Sequence, residues 1–117
     1  MKFERIQLNQ LLYKKTYMKG VNYMFAENEI LIYKSIIKEI KELWWACNLK
    51  EQAKVLSNKL HPWLIRNLNA ENLDKQIEHL NNLNLGIILK PENSFIVLYI
   101  KTRNMRYYQI DEFLLNL

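Results

Sequence analysis

Hydrophobic positions recur along this chain with two different periods, and the change between them falls at Leu85. Tyr33, Ile36, Ile37, Ile40, Leu43 and Trp44 fall at i, i+3, i+4, i+7, i+10 and i+11, one broad apolar stripe that predicts a helix over 28–46. Asn28 or Glu27 is placed to open it and Asn48 to close it. Lys34, Lys38, Glu39, Lys41 and Glu42 occupy the opposite side, with Lys34, Lys38 and Glu42 along one solvated ridge. Trp44 and Trp45 are neighbours and cannot face the same way on a helix. One ring is expected in the core and the other at a boundary or an interface.

The same period marks three further helices. Ile6, Leu8, Leu11, Leu12 and Tyr13 predict an amphipathic helix over 4–18, stopped at Gly20. Leu49, Ala53, Leu56 and Leu60 predict another over 49–60. Pro62 ends it, because the residue before a proline is pushed out of the helical region, and then starts a short helix over 63–68. Leu73, Ile77, Leu80 and Leu83 form the inward side of a third main helix, 70–83, capped by Asn67 or Asn69 with Glu71 and Asp74 in its first turn. Its outward side carries Asn72, Lys75, Gln76 and His79.

Beyond Gly86 the period becomes two. Residues 85–90 and 94–102 read as the strands of an antiparallel hairpin, joined at Pro91-Glu92-Asn93. The second strand is apolar on both faces, with Phe95, Val97 and Tyr99 on one and Ile96, Leu98 and Ile100 on the other. Such a strand needs a covering element or a second subunit. Ile110, Phe113, Leu114 and Leu117 then give a short C-terminal helix. The pattern predicts one helix-rich α+β domain: an N-terminal helical extension over 1–26, a core over 27–102, and a C-terminal helix over 103–117. Ile37, Ile40, Trp44, Leu56, Ile77, Leu80 and Val97 are expected to share its core.

Composition narrows the chemistry. With 117 residues, half of them hydrophobic, the chain can build one core, and with only two glycines and two prolines it is not a disordered type. The single Cys47 cannot form an internal disulfide and is expected as a packed thiol. The first residues interrupt their apolar positions with charge, and the apolar runs fall far short of the roughly 20 residues of a membrane helix. The expected location is cytoplasmic, away from the membrane. His61 and His79 stand 18 residues apart without a thiol partner, so metal-ligand spacing is absent. Gly20 and Gly86 cannot make a phosphate loop, and no serine sits on a nucleophile turn. No enzyme and no cofactor is expected.

The net charge of +5 is uneven: +4 over residues 1–20, +3 over 48–67, and −2 over 68–84. A basic surface favours polyanions generally.

The order of three helices and a hairpin resembles the winged helix-turn-helix superfamily across roughly residues 30–101. The closest local match is Leu73-x-x-x-Ile77-x-x-Leu80-x-x-Leu83-x-x-Gly86-Ile87-Ile88. The resemblance implies a third helix entering the major groove of duplex DNA, with the hairpin as a wing against the backbone. By position it assigns Asn72, Lys75, Gln76 and His79 to the recognition helix, and Lys90, Asn93 and Ser94 to the wing tip. Lys14, Lys15, Lys54 and Arg66 then supply phosphate contacts. A DNA-binding regulator or replication accessory, acting as a homodimer and encoded by a phage or plasmid, is the leading expectation. The three acids of helix 70–83 and the long 60–69 connection keep a second class open, a small protein-binding inhibitor or immunity-type protein.

Overall fold

The structure, a computed structural model, describes residues 4–12 and 25–110. Within them five helices pack on a small antiparallel sheet, an α+β arrangement. The chain opens with strand β1 (Ile6–Gln7) and helix α1 (Leu8–Leu12). The helix predicted over 4–18 therefore starts later than its periodicity implies. Ile6 pairs with Ile96 across the sheet, and a hydrogen-bonded edge outweighs a weak local helical pattern. The proposed stop at Gly20 lies outside the described residues.

Helix α2 (Glu27–Trp45) follows the predicted stripe, with Tyr33, Ile36, Ile37 and Ile40 buried and Leu43 and Trp44 half-buried against the core. Glu27 and Glu29 sit in its first turn, where acid complements the helix dipole. Neither Glu27 nor Asn28 caps it; Ala26 holds that position without a side-chain bond. Its C-terminus closes through two backbone bonds. Cys47 N–H donates to Trp44 O at 3.1 Å, and Asn48 N–H donates to Leu43 O at 3.0 Å. This pair is the Schellman pattern, whose turning residue must be left-handed. Cys47 takes that position with φ +54° and is exposed. The expected packed thiol is thus corrected: the left-handed turn carries Cys47 out of the helix stripe. Asn48 begins the next helix, its side chain accepting from Glu51 N–H at 3.4 Å.

Pro62 does not end that next helix. Helix α3 (Leu49–Val55) passes through a wider π turn (Leu56–Leu60) directly into α4 (His61–Asn67), and His61 keeps helical dihedrals of −58° and −48°. The His61 N–H reaches five residues back to Leu56 O. A proline cannot donate to the carbonyl four residues back and its ring crowds that oxygen; a locally widened helix absorbs both problems. The long connection expected at 60–69 is therefore mostly helix. Only Leu68 and Asn69 are extended before a 3₁₀ turn (Ala70–Asn72) leads into α5 (Leu73–Asn81). Asn69 caps that turn by accepting from Glu71 N–H at 3.1 Å, as one of the two predicted caps.

Gly86, left-handed at φ +79°, ends the passage from α5 into β2 (Ile87–Glu92), which pairs with β3 (Phe95–Lys101). The hairpin is where the period change puts it, but its turn is two residues later than Pro91. Pro91 pairs within β2, opposite Ile96, and Asn93 and Ser94 alone make the turn at φ +49° and +70°. Two successive left-handed residues match the right-handed twist of paired strands, and β2 as an edge strand tolerates a proline. β3 is central. Its other edge is taken by β1 at Phe95–Ile96 and by β4 (Tyr107–Gln109) at Tyr99–Lys101. Both edges of this strand are thereby paired within one chain. Of the region assigned to a C-terminal helix, 103–106 are a turn and 107–109 are strand β4; Ile110 is helical and buried, and the rest of the helix proposed around Phe113 lies outside the described residues.

Ile96, Leu98 and Ile100 face the helices and join Ile37, Ile40, Leu56, Ile77 and Leu80 in one core. Val97 is buried but lies on the opposite strand face, outside that cluster. Strand alternation forces this, because Ile96 and Leu98 occupy the inward positions. Trp63 anchors the helical side. It is fully buried, its ring 4.8 Å from that of Tyr33, and its Nε1 donates to Glu29 O at 3.0 Å.

Candidate nucleic-acid interface

The residues assigned by resemblance to a recognition helix do not form a reading surface. Gln76 is only 4 % exposed. Its Oε1 accepts from Asn69 N–H at 2.6 Å and its Nε2 donates to Asn67 O at 3.1 Å. Both amide groups are committed to the link before α5, so Gln76 cannot meet a base edge without breaking them. This corrects its assignment. His79 is half-buried with its ring 5.8 Å from Phe25, and Asn72 is half-buried where the 3₁₀ turn meets α5. Lys75 is exposed, among exposed Glu71, Asp74 and Glu78. The outward side of α5 is acidic, and phosphate is repelled by such a face.

The other assigned residues are scattered. Lys90 lies over the Tyr99 ring at 5.7 Å, and Asn93 stands in the hairpin turn. Lys54 pairs with Glu51 at 3.1 Å, and Arg66 pairs with Glu29 at 3.1 Å. The Arg66 guanidinium beside Glu29 holds that carboxyl below its ordinary range. Lys14 and Lys15 lie outside the described residues.

A different surface concentrates positive charge. Lys34, Lys38, Lys41 and Trp45 follow one another at i, i+4, i+7 and i+11 on α2, within about 60° of arc at roughly 100° per residue. They line a groove of about 230 Å³ with Ile37, Glu42 and Leu85. Gly86 passes beneath Lys41, where even a Cβ would lie 3.6 Å from its Nζ. From the loop between β3 and β4, the Arg103 guanidinium sits 5.1 Å from the centre of the Trp45 ring. Among the described residues none of these four cations is ion-paired, whereas Lys54, Lys59 and Arg66 each have a carboxylate partner. Four cations without a carboxylate partner thus lie together along one flank of α2.

This flank also carries exposed aromatic surface. Trp45 is 49 % exposed there. The helical pattern puts Lys34 and Lys38 on a solvated ridge and one tryptophan at a boundary or an interface; only the fold joins the two and brings Arg103 to them. The available signal was the i, i+4, i+7, i+11 spacing itself. The contact with Arg103 spans the whole fold and has no local mark.

Among the described residues no cluster of three or more His, Cys, Asp or Glu is placed to hold a metal ion, and no helix is long and apolar enough to cross a membrane. Comparison with known protein families, curated proteins and solved structures finds no match to this chain.

Proposed function

We propose that this domain binds nucleic acid through the groove of Lys34, Lys38, Lys41, Trp45 and Arg103. The observation that carries the reading is the row of cations without carboxylate partners, set beside an exposed indole. Lysine and arginine neutralise phosphates by displacing condensed counterions, and the aromatic ring adds contact that charge alone lacks. We read the order α2, α3–α4, α5 and hairpin as winged-helix-like, with the contact surface on α2 and not on the acidic α5. A regulator or a replication accessory would both use such a surface.

The test is an electrophoretic shift at two salt concentrations with a mixture of random duplex and single strands. Binding that weakens steeply with salt supports the reading. No shift at low salt and micromolar protein would end it.

One observation favours the second class, a protein-binding inhibitor. Leu31 is 62 % exposed on the side of α2 away from its buried stripe, and Ile32 is 42 % exposed beside that stripe, next to Ile36. Ile32 also lines a shallow depression with Ser35, Glu39, Lys59 and Arg66. These positions become the first to substitute if nucleic acid fails to bind.

A further inference from the structure

We infer that the groove takes a single strand rather than a duplex, with Trp45 as a platform on which an unpaired base stacks. The inference rests on the nucleic-acid reading and specifies its ligand. Lys34, Lys38 and Lys41 lie along a straight helix flank, and from Lys34 to Trp45 the rise is about 17 Å at 1.5 Å per residue. A row of that kind follows one extended backbone. The row ends on an indole that is half exposed, although burying aromatic surface is favourable. Arg103 lies over that ring at 5.1 Å and fixes its position by a cation–π contact.

In a duplex the flat faces of the bases are hidden in the stack and only their edges are presented in the grooves. An aromatic platform therefore meets its ligand only where bases are unpaired. The groove floor agrees. Leu85, above the buried Ile37, supplies apolar surface beneath the lysines, and no buried polar side chain lines the site to read a base edge. The residue best suited to edge reading, Gln76, is committed inside the protein. Affinity without marked sequence preference follows, because every base offers a π face.

The experiment uses fluorescence anisotropy with labelled oligothymidylate, a labelled mixed-sequence single strand and a labelled duplex of equal length. It compares the intact chain with Trp45→Ala, Trp45→Phe and Lys38→Glu. Circular dichroism confirms that each variant folds, which the exposure of both positions favours. The expected result is tighter binding of both single strands than of duplex. Trp45→Ala should weaken single-strand binding about 5- to 100-fold, with partial retention in Trp45→Phe, the size of one lost base–aromatic stack. Lys38→Glu should weaken every ligand. Duplex binding equal to or tighter than single-strand binding overturns the strand assignment while leaving the nucleic-acid reading intact. Single-strand binding that Trp45→Ala does not change overturns the platform. Absence of binding to any of the three at low salt overturns both readings together.

Discussion

Gln76 and Asn69 are joined by a 2.6 Å hydrogen bond from the Asn69 backbone N–H to the Gln76 side-chain oxygen. The same amide donates to Asn67 O, so one side chain satisfies a backbone group on each side of Leu68, where the chain passes from α4 towards α5. A buried backbone N–H left without a partner costs far more than an average hydrogen bond gains. Gln76 thus sets the angle at which α5 leaves α4, and with it the packing of Ile77 and Leu80.

Gln76→Ala is accordingly expected to lower stability by about 1–3 kcal/mol, from two unsatisfied backbone groups. Urea denaturation followed by circular dichroism measures it. An unchanged midpoint combined with altered nucleic-acid preference would restore Gln76 as a base-reading residue.

Cys47 holds a left-handed backbone at φ +54°, where a side chain is penalised and glycine is not. Cys47→Gly should therefore stabilise the domain by up to about 1 kcal/mol, part of the relief being lost to the extra freedom of the unfolded chain. The exposed thiol should also react with a maleimide in the folded protein at a rate near that of the unfolded one. A thiol protected until denaturation would contradict its exposed position.

What the sequence made legible was whatever a period could carry. The α2 stripe, the α5 stripe and the alternation beyond Gly86 each repeat a signal several times, so the elements and most core positions could be read. Isolated events were not legible. β1 is two residues held by pairing with distant Phe95 and Ile96, and Pro62 sits in a helix that a π turn carries on from α3. The groove lay between the two cases: its lysine row is periodic, but its partner Arg103 comes from 58 positions beyond Trp45. The resemblance pointed instead to α5, whose polar outward pattern hid the fact that Gln76 turns inward.

His61 adds a pH dependence. Burial lowers its pKa from 6.5 to about 4, and Arg5 lines the same small cavity among Ile6, Leu60 and Leu98. As pH falls below 6.5 the unfolded chain takes up a proton that the folded one refuses, so stability declines progressively towards about pH 4. Below that value both states are protonated and the decline from this group stops. The lowered Glu29 carboxyl contributes its own loss only below its ordinary 4.5, leaving the range above about pH 5 to His61. Urea midpoints measured between pH 7 and 5 should fall for the intact protein and stay flatter for His61→Gln. Equal slopes in the two proteins would place the titrating group elsewhere.

The final prediction separates the two surfaces by charge. Lys38 is exposed on α2 among Lys34 and Lys41, while Lys75 is exposed on α5 among Glu71, Asp74 and Glu78. Both changes to glutamate remove the same charge from the same kind of position, so net charge cannot distinguish them. If phosphate follows the groove, Lys38→Glu removes one displaced counterion and adds repulsion. It should weaken binding of all sequences alike and reduce the salt slope by about 1. Lys75→Glu lies on a face that already repels phosphate and should change affinity only through the screened long-range field, less than about 2-fold near physiological salt. Affinities of the two variants across a salt series decide between them. The reverse order, with Lys75→Glu the more damaging, would return the contact to α5 and remove the groove from the binding surface.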